Sequence, residues 1–394
     1  MDDVRVHYKN VNKALRRSDL SGTFIVSKYR TAPYMACQHR CAYCDGRAER
    51  YYVEGDFDSD ITVRPNLPDL LRKELPKLRE KGVISFGSGI TDTYQPIEKE
   101  TGIVRQCAKI LSASDFPVTV MTKSSLPLRD IELWNSVNTR AGFMILVSLV
   151  HSDDRTRQQF EPEAAPVEER FQVLREFRKR KCAAGILAMP LLPGINDTDE
   201  NLELLYQSAS QIGVDFLMPG GLTLRPGRQK EHFLRVLAQY RPDLLPVYTD
   251  LYRENRPSGA PLKSYDAALY RKCLSLSNNY HLPYLVPHRI YQGRLHLYDE
   301  VSVLLRHMEE LYNSRRINTK PLKLSIRRFH EWLTERKKLY NRKRSWLYTD
   351  LDGELIEVIT SGKLGSMIGN KKLSRFIREV AIERKTFDYS TLSF

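Results

Sequence analysis

Short apolar runs separated by longer segments of helical period dominate the middle of the chain. Gly82-Val83-Ile84-Ser85-Phe86 precedes a helix-period stretch over 98–112, and Pro117-Val118-Thr119-Val120-Met121 precedes one over 130–138. Phe143-Met144-Ile145-Leu146-Val147 leads to a third over 166–181, a run over 183–189 to a fourth over 198–212, and Phe216-Leu217-Met218 closes the series. The runs are too short for helices and the segments between them suit crossovers, so the pattern predicts a βα series with a parallel sheet. The expected fold class is α/β: a partial (β/α)6 TIM-type barrel with a helical, basic C-terminal extension. Residues 1–30 read as an N-terminal arm with a short β-like piece at 22–26, 31–241 as the barrel, and 242–394 as the helical extension, with a break near 255–261.

Polar and glycine-rich residues gather just after each apolar run: Gly87-Ser88-Gly89, Thr122-Lys123-Ser124, Ser148, the stretch from Pro190 to Asp197, and Pro219-Gly220-Gly221. In (β/α) barrels, loops at the C-terminal ends of the strands converge on one mouth, where ligands bind.

Ahead of this series stands Cys37-Gln38-His39-Arg40-Cys41-Ala42-Tyr43-Cys44, a C-x3-C-x2-C spacing that holds three of the six cysteines. Six cysteines in 394 residues are too few for a disulfide scaffold, and three within eight positions read as metal ligation. Three thiolates on one tight loop can each bind one iron of a [4Fe–4S] cubane and leave the fourth iron without a protein ligand. A zinc knuckle completed by His39 or a distant cysteine is the alternative. Cys107, Cys182 and Cys273 are scattered; Cys107 and Cys182, in or beside apolar stretches, read as buried small hydrophobes.

The triplet, with an aromatic residue before its last cysteine, resembles the radical S-adenosylmethionine (SAM) superfamily motif. Further segments resemble the spore photoproduct lyase-like branch: Ala32-Pro33-Tyr34, Tyr52 to Phe57, Val63-Arg64-Pro65-Asn66, Gly87 to Pro96, Thr122-Lys123-Ser124, Glu161-Pro162 with Arg170, and Pro190 to Asp197. The resemblance covers about residues 20–230. It implies that Cys37, Cys41 and Cys44 hold the cluster, that Tyr43 shields it, and that SAM chelates the open iron. It implies SAM contacts from Gly87, Ser88 and Gly89, a carboxylate or ribose contact from Lys123, Ser148 and Arg170, and an adenine-packing loop containing Leu192, Pro193 and Asn196. One electron from a flavodoxin or ferredoxin would cleave SAM and yield a 5′-deoxyadenosyl radical that abstracts hydrogen from a substrate. The branch's cysteine hydrogen donor has no counterpart in Gly87-Ser88-Gly89-Ile90-Thr91-Asp92, which argues against thymine-dimer repair and leaves Tyr94 or another tyrosine as a candidate hydrogen donor.

A formal net charge of +14 favours a polyanionic partner such as DNA or RNA. After residue 297, Arg336-Lys337-Lys338 and Arg342-Lys343-Arg344 are interleaved with Trp332, Tyr340, Trp346 and Tyr348, a pattern suited to tracking phosphates and stacking bases, or to a solvated helical face. No apolar run is long enough for a membrane span and no signal peptide is apparent, so a cytoplasmic location is expected. The expected function is radical SAM chemistry on nucleic acid, as DNA repair lyase-like chemistry or base modification. Radical SAM chemistry on a peptide or small molecule, and a zinc-stabilised nucleic-acid-binding protein without catalysis, are the alternatives. Oligomeric state is not legible.

Overall fold

A computed structural model describes residues 4–18, 20, 24–87, 89–341 and 348–394. The chain divides into two compact units. The first comprises Met1–Arg16, Arg30–Pro76 and Ile84–Tyr284; the second comprises Arg17–Tyr29, Lys77–Val83 and Leu285–Phe394.

Among the described residues ten strands occur in chain order: β1 (Arg5–Tyr8), β2 (Arg16–Arg17), β3 (Tyr29–Thr31), β4 (Tyr34–Met35), β5 (Asp60–Val63), β6 (Ile84–Phe86), β7 (Val118–Thr122), β8 (Phe143–Ser148), β9 (Ala183–Leu191) and β10 (Phe216–Gly221). The main sheet has the order β10-β9-β8-β7-β6-β3-β2, and a smaller one the order β1-β5-β4. From β6 to β10 the strands are parallel, with Ile84 opposite Val118, Val118 opposite Phe143, Met144 opposite Ala183 and Gly185 opposite Phe216. Phe143 to Val147 are all buried, as expected of a parallel strand covered on both faces. With β3, these strands form the partial (β/α)6 barrel.

The helices between the strands start and stop where local chemistry dictates. The helix Asp199–Ile212 begins at Thr198, whose side chain accepts from Asn201 N, and ends at Gly213 with φ +72°. The single helix expected over 98–112 is split into Glu98–Thr101 and Ile103–Leu111 by Gly102, which takes φ +58°. On one face of the sheet Trp134 stacks on Phe143 at 5.0 Å, and Phe143 on Phe177 at 5.3 Å.

Two expectations about organisation change. Within the stretch read as an N-terminal arm, β1 pairs in parallel with β5 through Arg5 opposite Asp60 and Tyr8 opposite Val63. The first unit also runs on to Tyr284 rather than ending near 241, because the helix Lys263–Asn279 packs against β10.

In the second unit the main helices are Leu297–Ser314, Lys320–Asn341, Tyr348–Thr360, Lys363–Ile368 and Lys371–Ile377, the last continuing as a π turn over Arg378–Ile382. Val301, Leu304, Phe329, Leu351, Leu364 and Ile377 are among its buried apolar side chains. A buried charge network joins its three chain segments: Lys28 pairs with both Glu80 and Asp299, and Arg17 reaches Glu80 at 2.7 Å. Each carboxylate keeps a cationic partner, which removal from water requires.

Of the basic clusters read from the sequence, Arg336 pairs with Glu354 at 2.8 Å and Lys337 lies 3.7 Å from Asp299 and over the Tyr298 ring. Tyr340 donates to Glu354 and Tyr348 lies beside His296. These side chains are engaged within their own unit rather than set out as a stacking platform. Arg342, Lys343, Arg344 and Trp346 lie outside the described residues.

Candidate functional site: the cysteine loop and the strand ends

The cysteine loop follows directly from β4. Ala36 and Arg40 take φ +62° and +54°, left-handed conformations that turn the chain sharply. Neighbouring segments supply its backbone partners: Cys37 N donates to Phe57 O, Ala42 N to Phe160 O, Gln38 N to the Gln95 side chain, and Gln95 and Thr91 side chains to Ala36 O. Arg47, itself buried against the Phe57 ring, donates to Cys41 O and pairs with Asp58 at 2.6 Å. At Gly46 an added Cβ would lie 2.8 Å from Ile90 Cα, so only glycine allows this close approach to the loop after β6.

Cys37 and Cys41 are buried and Cys44 is half-buried, all three as free thiols. Burial pushes each thiol above its ordinary range; neighbouring thiols add to this at Cys37 and Cys41, while Lys123 opposes it at Cys41 and Arg47 and Lys123 oppose it at Cys44. Cys37 and Cys41 thus sense neighbouring sulfurs, and Cys41 and Cys44 both sense the Lys123 cation. Among the described residues no trio of His, Cys, Asp or Glu is gathered tightly enough for a single metal ion. A cubane instead spreads its three thiolates over three irons, and the donor set fits that group.

Beneath the loop lies a buried ionic cluster. Glu161 is fully buried, 2.5 Å from Arg170 and 3.3 Å from Lys123, and accepts the Tyr43 hydroxyl. Burial alone would raise its carboxyl pKa, but Arg170 and Lys123 overcome that and hold it well below the usual range. Lys123 also sits 5.4 Å over the Tyr43 ring. The Arg170 guanidinium, 1% exposed, donates further to Ala165 O and to Ser148 O at 3.1 Å. Arg170 thus fixes Glu161 and the end of β8.

The loops leaving the strands are cross-tied. Asp92 accepts from Thr122 Oγ1 at 2.6 Å, Lys123 N at 2.7 Å and Tyr94 N at 2.8 Å, joining the end of β6 to that of β7, and faces His39 Nε2 at 3.4 Å. Gly87 takes φ +112°, with Met121 and Thr93 closing in where a side chain would stand. Gly89 O lies 4.0 Å from Cys44 Sγ, so this loop does meet the cysteines. Ser88 lies outside the described residues. After β9, Leu192 is buried against Cys41, Ala42 and Tyr43, and Asn196 Oδ1 accepts from Leu192 N at 2.5 Å. Pro193 and Gly194, the latter with φ +71°, form the turn between them. Asn201 donates to Val150 O and Asn196 O and accepts from Ser152 N, which ties the loop after β8 to the loop after β9.

Several buried polar atoms on these loops have no hydrogen-bond partner: Thr93 Oγ1, both ring nitrogens of His151, and Asn196 Nδ2. Such atoms are costly without a partner, and their concentration on the loops after β6, β8 and β9 is what a site for a polar ligand requires. Burial holds His151 at about 4, so its ring is neutral near pH 7 and offers one donor and one acceptor. Sequence reasoning missed His151, which carries no spacing of its own, and met His39 only as a possible zinc ligand and Asp92 only as the end of a matched segment; the fold brings all three to the strand ends.

Tyr94 requires a correction. Its ring is fully buried and its hydroxyl accepts from Trp134 Nε1 at 2.7 Å and donates to Asp130 at 3.2 Å. Burial and the Asp130 charge raise its pKa well above the ordinary value. The residue is committed to packing on Trp134 and is not placed to return a hydrogen atom.

Residues 32–205 match the family model described as the radical SAM superfamily, a span that takes in the cysteine loop and runs through β9. Proteins of that superfamily use a [4Fe–4S] cluster and SAM. An uncharacterized protein of Mycobacterium tuberculosis is 28% identical over 232 residues, covering 57% of this chain and 67% of its own length. One of Methanocaldococcus jannaschii is 25% identical over 209 residues, covering 53% and 75%. A solved structure of spore photoproduct lyase complexed with dinucleoside spore photoproduct superposes with a TM-score of 0.50 at 14% identity, over 70% of this chain and 79% of that one, a likeness of fold.

Proposed function

We propose, from the radical SAM domain over residues 32–205, that this chain cleaves SAM reductively and directs the resulting radical at nucleic acid, in base modification or lyase-type repair. The observation that carries the first half is the cysteine loop itself: three free thiols in a C-x3-C-x2-C spacing, with Tyr43 of the same loop held in the buried Glu161–Lys123–Arg170 cluster. When bound, a [4Fe–4S] cluster with SAM supplies a 5′-deoxyadenosyl radical on one-electron reduction.

The chain's own residues do the rest. Cys37, Cys41 and Cys44 would ligate three irons. Glu161 and Arg170 hold Tyr43 and the end of β8 in place, so the loop need not reorganise at the moment of reaction. Gly87 and Gly89 bring backbone rather than side chain to the ligand, Ser148 and Lys123 stand at adjacent strand ends, and the Leu192–Asn196 turn offers Asn196 Nδ2 as an unused donor. Neutral His151 adds hydrogen-bonding capacity without a charge.

Nucleic acid is favoured as substrate by the distribution of charge. Residues 285–394 hold 22 Lys and Arg against 13 Asp and Glu, so they carry +9 of the total +14. Cys107, Cys182 and Cys273 are all buried and Tyr94 is locked, so no described cysteine outside the triplet is set out as a hydrogen donor, which favours modification over dimer repair. A flavodoxin or ferredoxin would supply the electron.

Anaerobic reconstitution with iron and sulfide, followed by dithionite and SAM, tests the reading. Iron and sulfide at about four each per chain and release of 5′-deoxyadenosine are expected. One zinc per chain with no brown absorbance would sink it. Repeating the assay with DNA, RNA and peptide substrates then assigns the substrate class.

A further inference from the structure

We propose that the second unit carries a duplex-DNA-reading element, formed by the helix Lys363–Ile368 and the helix Lys371–Ile377 with its continuation to Ile382. It rests on the nucleic-acid reading above and deepens it by naming the polymer and the surface.

The turn between the two helices is built to be tight. Gly369 ends the first helix with φ +67°, and Asn370 begins the second, its side chain accepting from Leu373 N at 3.0 Å. Leu364, Ile368, Leu373, Ile377 and Val380 are buried, so the pair presents its apolar side to its own unit. A helix-turn-helix, whose second helix enters the DNA major groove, likewise joins two helices through a short turn that often contains glycine.

The outward side of that second helix is cationic. At 100° per residue, Lys371, Arg375 and Arg378 fall within about 60° of one another and Lys372 lies beside them. Lys371 and Lys372 are exposed, and Arg375 and Arg378 show 80% and 54% of their side chains. Arg375 and Arg378 touch Glu379 and Glu383 at 3.3 and 3.1 Å, surface pairs weak enough to yield to phosphate. The four cations span about 10 Å of helix, close to the roughly 12 Å width of the major groove. A membrane-lying helix would need an exposed apolar stripe opposite its charges, and here that stripe is buried. Arg336 and Lys337 show only 40% and 32% of their side chains, so the second helix of the pair is the more open of the two cationic stretches.

Binding of the full chain to a labelled duplex of about 20 base pairs, with single-stranded DNA and RNA duplex as competitors, tests this across a salt series. The K371A/K372A/R375A variant should bind at least about tenfold more weakly, with the slope of log affinity against log salt reduced by about 3. K371R/K372R/R375K should bind as wild type, as should K320A/K323A. In the unmodified chain, amide hydrogen exchange should show duplex-induced protection within residues 363–385. Unchanged duplex binding by the triple alanine variant, protection elsewhere, or preference for single strands or RNA duplex would overturn it. Loss of duplex binding in a chain whose radical chemistry alters no oligonucleotide would refute the substrate reading and leave this element standing. Oligonucleotide modification undiminished in a triple variant that still binds duplex would do the reverse.

Discussion

Each unit buries a cluster of opposite charges, and the two clusters differ in where they sit. In the first unit Glu161, Arg170 and Lys123 lie directly under a loop of three thiols and beside polar atoms that lack partners. In the second, Lys28, Glu80, Asp299 and Arg17 neutralise one another and fasten chain segments together, while cations are left on the surface. Buried charge is therefore not by itself a mark of chemistry. The mark is buried charge next to unsatisfied groups at converging strand ends.

The largest expected effect divides the units most sharply. Replacing any one of Cys37, Cys41 or Cys44 by Ala should abolish SAM cleavage, whereas Cys182→Ala, in a fully buried position away from the loop, should leave most of it; 5′-deoxyadenosine release measures both. An active Cys41→Ala protein would remove the ligand assignment.

Next in size is Glu161→Ala, which leaves Arg170 charged and buried without its carboxylate. A loss of about 3–5 kcal/mol is expected, seen as a fall of about 10 °C in thermal unfolding of the first unit. Asp299→Asn in the second unit should leave SAM cleavage at its wild-type rate, and a loss comparable to that of the cysteine variants would erase the distinction drawn here.

Acid should weaken both units through buried imidazoles. Burial holds His151 at about 4 and His307 at about 3, below the ordinary 6.5, so the unfolded chain binds protons that the folded chain refuses. Stability is full above pH 6.5 and falls as pH drops toward 4, by up to about 3 kcal/mol for His151. His151→Gln should flatten that dependence, and unfolding midpoints at pH 7 and pH 5 read the difference. The smallest effect is Asn370→Ala, about 1 kcal/mol from the lost helix cap, with SAM cleavage unaltered.

The strand series was legible because parallel strands buried on both faces leave uninterrupted apolar runs: 143–147 was read from the pattern and β8 occupies Phe143–Ser148. The cysteines were legible because their ligand spacing is local. What could not be read depends on contacts distant in sequence. Arg170 looked available until Glu161 and Ser148 O were seen to engage it, and Tyr94 until Trp134 and Asp130 did. His151 carries no pattern at all. The basic cluster 336–338 drew attention by density, yet density does not report how far a cation is covered; the sparser 371–378 stripe is the more exposed.

The second unit is not a tail that can be trimmed. Its Lys28 and Glu80 are translated long before Asp299, with 271 positions between Lys28 and its partner. At ordinary elongation rates the ribosome needs tens of seconds to cover that interval. During that time the early segments have no helical unit to join. A gene ending near codon 284 would make the delay permanent, so loss of solubility on truncation would report the loss of Asp299 and of the helices that the 17–29 and 77–83 segments join, rather than a failure of residues 32–205.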